Sequence, residues 1–297
     1  TAMVSLNALL RTTEWQLLPR DYLNYNQGIK LMNNMMGDAP AGQTIEQPIA
    51  TVVFPYPTPD VARIGANVLG VWIADDTSRS LLINRTELRF AKYAGTSWSA
   101  ISPIADDGTA DLNPQLVKLS NGKAVCVWQN ADSILSDLDD IETFKSHMEI
   151  AASIYDSNTN LWSTAHRLTT NGYFDRSPKV AGPASNNILA VWVSNPNNDM
   201  WGTATKTNNI MWSSYNGVAW SPAATLASGF GAILDTALAY NGTTANYVFC
   251  TDANDNFDDS NDQELWSCTY SGGSWSTPVR LTYDTNTDSS PRLVYDS

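Results

Sequence analysis

The sequence predicts an all-β protein, a β-propeller of four-stranded blades. Two observations carry this reading. Of the 297 residues 24 are Asp and only 6 are Glu, while Gly, Asn, Ser and Thr are plentiful, so turn formers abound where helix formers are scarce. In addition, one pattern of about 55 to 64 residues recurs four times along the chain, and a period of that length marks a repeat architecture.

The repeat is set by a Tyr-turn-Trp-Ser pattern at Tyr93 to Trp98, Tyr155 to Trp162, Tyr215 to Trp220 and Tyr270 to Trp275. Sixteen residues beyond each Trp stands Pro114, Pro178, Thr236 or Pro291. Thirteen or fourteen residues beyond that position, counting also from Pro59, an apolar run closes on an aromatic: Trp72, Trp128, Trp192 and Phe249. Six residues before each Tyr lies Glu87, Glu149, Asn209 or Glu264. Four strands follow per unit. Strand A starts at the Pro, and strand B is a continuous apolar run, as expected of a strand covered on both faces. Strand C alternates, as in Glu87-Leu88-Arg89-Phe90, and so is half exposed. A tight, mostly Gly-bearing turn then leads to strand D at the Trp-Ser pair. Four-stranded units in radial array are propeller blades. Blades start near 59, 114, 178 and 236, with a partial strand from 291. Residues 43–50 read as a lone strand D, so the two ends together would make a shared closing blade; the alternative is a piece of a longer array. Residues 1–42 carry no repeat and form an N-terminal segment, with short helices expected at Leu6–Leu10 and Ile29–Met36.

The succession Leu-Thr, Asp-x-x-Pro, then an apolar strand ending in Trp resembles repeats of secreted bacterial and archaeal β-propellers of the sialidase-like and TolB-like kind, over residues 43–297. The resemblance implies the propeller superfold and a place outside the cell or at its surface. The chain departs from sialidases in lacking the Ser-x-Asp-x-Gly-x-x-Trp box, and from WD repeats in lacking recurrent Gly-His and Trp-Asp pairs.

The formal charge of −13 excludes nucleic acid as a partner, because that affinity rests on Lys and Arg displacing counterions. No apolar stretch approaches the roughly 20 residues that span a bilayer. The N-terminus lacks the basic-then-apolar order of a signal peptide.

Four antiparallel strands place the B to C and D to A connections on one face, and the aspartates gather there. The B to C connections hold Asp75, Asp76, Asp132, Asp137, Asp139, Asp140, Asp199, Asp252, Asp255, Asp258, Asp259 and Asp262; the D to A connections add Asp106, Asp107, Asp111, Asp175, Asp284 and Asp288. Most read as solvated turn residues. In the fourth blade, however, Asp252, Asn254, Asn256 and Asp258 recur at every second position, which is how a loop wraps oxygen ligands around Ca²⁺. Phe257 stands where such a loop usually has Gly, and Gln263 where it has Glu. Two histidines, His147 and His166, and three cysteines in no zinc spacing argue against a His-based hydrolase or a zinc site. Trp201 and Trp212 stand outside the repeat and are the aromatic candidates for ligand binding. The function expected is a non-catalytic extracellular or cell-surface propeller binding a glycan or protein through its acidic loop face. The alternative is a glycan-active enzyme, a glycoside hydrolase or polysaccharide lyase, with carboxylates around the central funnel.

Overall fold

A computed structural model describes residues 58–183, 185–252 and 262–295, with 49, 50, 53 and 254. Residues 1–48, and with them the expected N-terminal helices and most of the 43–50 strand, lie outside it.

Four antiparallel sheets follow one another along the chain. The first is β1 (Asp60–Ile64), β2 (Asn67–Asp75), β3 (Thr86–Tyr93) and β4 (Ser102–Pro103). The second is β5 (Asp111–Lys118), β6 (Lys123–Ala131), β7 (Met148–Asp156) and the split outer strand β8 (Leu161–Trp162) and β9 (His166–Arg167). The third is β10 (Phe174–Ala181), β11 (Ile188–Asn195), β12 (Asn208–Tyr215) and β13 (Ala224–Phe230). The fourth is β14 (Ala232–Tyr240), β15 (Thr244–Asp252), β16 (Gln263–Ser271) and the split pair β17 (Ser274–Trp275) and β18 (Val279–Arg280). Each sheet is the A-B-C-D blade that the repeat predicts. Residues 291–295 belong to no described strand; Tyr295 Oη accepts from Asn246 Nδ2 at 3.2 Å and so holds this segment to the fourth blade.

The Tyr-Trp-Ser letters have one structural job in all four copies. The Trp bridges back to the Tyr, and the rings meet at centroid distances of 5.5, 5.4, 5.3 and 5.3 Å. The Ser that follows donates its N–H to a strand C carbonyl at 2.8 Å each time, from Ser99, Ser163, Ser221 and Ser276. Its Oγ accepts the N–H of that same strand C residue at 3.0 Å in every blade. A side-chain oxygen thus replaces a backbone carbonyl in the ladder, which satisfies strand C while the outer strand turns away. The short, split outer strands follow from this substitution.

The apolar cores lie between blades. Val71, Ile73 and Leu88 pack on Cys126, Trp128 and Tyr155; Val125, Val127 and Ile150 on Ile188, Ala190 and Trp192; Val191, Val193 and Ile210 on Tyr247 and Phe249. Burial of strand B on both faces explains its unbroken apolar run. The long connection of the second blade carries the short helix α1 (Ile141–Ser146), capped by Asp140 Oδ1 on Thr143 N–H at 2.8 Å. Buried Asn84 of the first blade clamps that connection, accepting Leu135 N–H at 3.0 Å and donating to Leu135 O at 2.6 Å. All three cysteines are free and buried. Cys250 and Cys268 are not opposite one another: Cys250 pairs in register with Leu265, and Cys268 with Tyr247.

Candidate functional site

The inner strands β1, β5, β10 and β14 pack side by side, so the start of each strand A faces the propeller axis. The ladder is irregular there. Register shifts fall between Leu112 and Gln115, Arg176 and Lys179, and Ile233 and Thr236. The residue before the blade Pro has a left-handed backbone at Thr58 (φ 38°), Asn113 (49°), Ser177 (54°) and Ser290 (54°), Asp235 being the exception in the fourth blade. A side chain with Cβ is uncommon in that region, and bulges re-aim the side chains beside them.

The bulge repeats, but the side chains on it do not. The position after the blade Pro reads Asp60, Gln115, Lys179, Ala237 and Arg292, and Asp235 occupies the position before it in the fourth blade. Burial pushes the Asp60 carboxyl above the ordinary value, against the lowering pull of the Leu116 and Val61 N–H groups and of the Lys179 charge. Asp60 Oδ2 accepts Leu116 N–H of the second blade at 2.7 Å, and Oδ1 its neighbour Val61 N–H at 2.8 Å. Lys179 is half-buried, and burial pushes its ammonium down while Asp235 and Asp60 pull it up. Among the described residues no carboxylate comes within 4 Å of Lys179 Nζ, whereas Arg292 Nη1 lies 3.5 Å from Asp235 Oδ2. First, third and fourth blades therefore contribute charges that feel one another across the axis. Asn113 Nδ2 donates to Gln129 Oε1 at 2.5 Å, and Ser177 N–H to the same oxygen at 3.1 Å, lining the rest of the ring with amides.

The loop aspartates behave differently from the solvated acidic face expected of them. Asp111 and Asp175 are fully buried. Asp111 accepts Leu88 N–H at 3.0 Å, Trp128 Nε1–H at 2.7 Å and Asn130 Nδ2 at 3.0 Å, tying first blade to second. Desolvation outweighs these donors and pushes its carboxyl up to about 7. Asp137 accepts Ile83 N–H at 2.9 Å, and Asp199 the N–H groups of Trp201 and Gly202 at 3.3 and 3.0 Å. These carboxylates hold turns and joints in place.

Asp76, Glu87 and Asp106 bring one oxygen each to within 4.8 Å of the others, an acidic group of a size that could hold a metal ion. Arg79 already lies among them, at 3.1, 3.0 and 3.2 Å respectively, and Arg89 pairs with Glu87. Sequence reasoning missed this cluster because Arg79 sits in a polar loop with no repeat to mark it. Of the calcium candidates, Asp252 is buried at the end of β15 and Asn254 is exposed, while Asn256 and Asp258 lie outside the described residues. Trp212 packs edge-on against Tyr270 and Trp275 at 5.6 and 6.3 Å between third and fourth blades. Trp201 lies in the B to C connection of the third blade with the Arg176 guanidinium 5.6 Å over its ring.

No protein-family model matches the chain, and no curated protein matches it in sequence. Solved structures do match in shape. A Hadza microbial sialidase superposes with a TM-score of 0.52 at 9% identity, over 78% of this chain and 47% of its own. The Penicillium chrysogenum α-L-arabinanase complexed with arabinobiose gives 0.55 at 13% identity, over 82% and 72%. A polysaccharide lyase, an ulvan lyase, gives 0.50 at 9% identity, over 74% and 57%. The fold is the sialidase-like β-propeller. At these identities the likeness concerns the fold alone, and the chain spans about half the length of the matched sialidase. No described helix is long and apolar enough to cross a membrane.

Proposed function

We propose that this sialidase-like propeller is a glycan-active enzyme whose reacting centre is the axial ring, with Asp60 and Asp235 as its working carboxylates. The observation that carries the reading is the break in symmetry: the starts of the inner strands, which pack side by side, carry unlike side chains, Asp60 in the first blade, Gln115 in the second, Lys179 in the third and Asp235 in the fourth. The packing residues of the Tyr-Trp-Ser corners repeat; a substrate with distinct ends needs a site that does not. Burial favours the protonated form of Asp60, which suits a general acid that gives its proton to the departing glycosidic oxygen. Asp235, with Arg292 Nη1 3.5 Å from its Oδ2, is the carboxylate we assign as base for the attacking water. Two carboxyls in unlike surroundings are the usual means of dividing acid from base at one pH. Lys179, half-buried and with no carboxylate within 4 Å among the described residues, supplies the cation for an acidic group on the sugar, so uronate or sulfated glycans are favoured over neutral ones. That a sialidase, an arabinanase and an ulvan lyase share the fold supports a substrate of sugar. Such polymers are met outside the cell or at its surface, where we place the protein.

The test is incubation of the purified chain with neutral, uronate-bearing and sulfated polysaccharides, reading new reducing ends and unsaturated sugar. Asp60→Asn and Asp235→Asn should abolish product, and Lys179→Met should raise KM for acidic substrates alone. Retention of a polysaccharide with no product would leave a non-catalytic binding module in place of the enzyme.

A further inference from the structure

We propose that Glu149 and Asp175 share one proton in the joint between the second and third blades, and that its loss as pH rises loosens this joint. Both side chains are fully buried, at 0% exposure. Glu149 Oε1 accepts the N–H groups of Asn171 and Gly172 at 2.8 and 3.0 Å, and Asn171 Nδ2 donates to Asp175 Oδ2 at 3.3 Å. The remaining oxygens, Glu149 Oε2 and Asp175 Oδ1, are buried with no donor on either. Two carboxylates in one dry site cannot both ionise, and a proton held between them satisfies both orphaned oxygens at once. In agreement, burial first and the neighbouring Glu149 next push the Asp175 carboxyl up, against the donors Ser194 and Thr169.

The other blades show what is unusual here. At the same repeat position Glu87 meets Arg79 and Arg89, and Glu264 meets Arg280 and Thr282. In the third blade both positions are uncharged, Asn209 and Ile233. Among the described residues, only the second blade keeps two acids at these positions with no cation paired to either. Its Arg167 occupies the register place of Arg280, two residues along from the Glu partner strand. Yet Arg167 Nη2 donates to Asn130 Oδ1 at 2.6 Å and to Ala131 O at 3.0 Å. The charged groups on the elements packed around the pair include Arg167 on β9, the Asp132–His147 pair flanking α1, buried Lys145 on α1, which is paired with Glu142 at 2.7 Å, Lys179 further along β10, and Arg176 next along β10, which instead reaches Trp201 O and Ile233 O. The turn 171–173 is the part released when the second charge forms, because repulsion between the two carboxylates displaces Glu149, which holds the N–H groups of Asn171 and Gly172.

The experiment is hydrogen exchange of the whole chain at pH 5.5, 7 and 8.5, corrected for intrinsic rates, read at residues 169–176. Wild type should lose at least tenfold protection there between pH 5.5 and 8.5, since one released proton changes an opening equilibrium about tenfold per pH unit. Glu149→Gln and Asp175→Asn each remove one charge and should hold protection constant over that range. Equal protection of the wild type at both ends of the range overturns the proposal, even where neither variant folds. A variant that loses protection with pH as the wild type does also overturns it. Asp111 titrates in a similar range, but at the joint of first and second blades, so the position of the lost protection separates the two.

Discussion

Replacing Trp128 by Phe isolates one hydrogen bond at the centre of the propeller. The indole is fully buried, and its Nε1–H reaches Asp111 Oδ1 at 2.7 Å. Asp111 keeps Leu88 N–H and Asn130 Nδ2 as donors, so the variant should lose about 1.5 to 3 kcal/mol, the range for a bond to a charged group. Trp128→Ala should lose about 3 to 5 kcal/mol, because the cavity adds to it. The two losses should differ in their pH dependence. Asp111 has a folded pKa of about 7 against 3.8 ordinarily, so the folded state binds more protons between these values. Its contribution to stability is fully present below pH 3.8 and is lost as pH rises through 7, about 4 kcal/mol in all at 1.36 kcal/mol per unit. The lost indole donor matters most to the anion, so the cost of Trp128→Phe should grow by about 1 kcal/mol from pH 5.5 to pH 8.5. Urea melts followed by far-ultraviolet circular dichroism at both pH values measure this. A cost that is the same at pH 5.5 and 8.5 would refute the link between this bond and the ionisation of Asp111.

Ser163→Ala removes the side-chain rung that accepts Ile154 N–H and should cost about 1 kcal/mol in urea melts; Ser163→Thr, which keeps the oxygen, should cost less. Arg79→Met leaves buried Glu87 with Arg89 alone and should lower stability by about 3 to 5 kcal/mol, as for a broken buried ion pair. Because Asp76, Glu87 and Asp106 then stand within 4.8 Å of one another with the guanidinium gone, millimolar Mg²⁺ or Ca²⁺ should raise the Tm of that variant and not of wild type. Calcium binding by Asp252, Asn254, Asn256 and Asp258 is tested by melting wild type and Asp258→Asn with calcium and then chelator. A loop that takes the ion gains about 2.7 kcal/mol at a hundredfold excess over Kd, and a wild type indifferent to chelator removes the reading.

The blades were legible because their markers are large or conformationally special. Tyr, Trp and Pro at fixed spacing survive divergence between copies, and strand B announces its two buried faces by an unbroken apolar run. The Ser after each Trp was equally visible as a repeated letter, but its role was not: only coordinates show an Oγ standing in for a carbonyl. Aspartate was the least legible residue. In a chain this rich in turns, Asp137 on a loop, Asp111 in a buried joint and Asp106 beside Arg79 look alike in sequence, since burial is decided by which neighbouring blade lies over them. The docking of the second blade's long connection onto Asn84 was hidden for the same reason.

The axial ring was present in the sequence in a form that repeat-finding suppresses. Aligning copies draws attention to letters that agree, and the position after the blade Pro disagrees: Asp60, Gln115, Lys179, Ala237, Arg292. Yet the backbone there recurs, with a bulge in the second, third and fourth blades and a left-handed residue before the blade Pro at Thr58, Asn113, Ser177 and Ser290. Packing explains a conserved backbone with conserved side chains, as at the Tyr-Trp-Ser corners. It does not explain a recurrent backbone carrying unlike charges where the inner strands of successive blades pack together. Placing two acids and a half-buried lysine there costs desolvation that neutral residues such as Gln115 and Ala237 avoid. In a repeat protein, then, the positions to test for chemistry are those where geometry repeats and side-chain charge does not, and here these are Asp60 and Lys179, together with Asp235 inside the fourth blade's bulge.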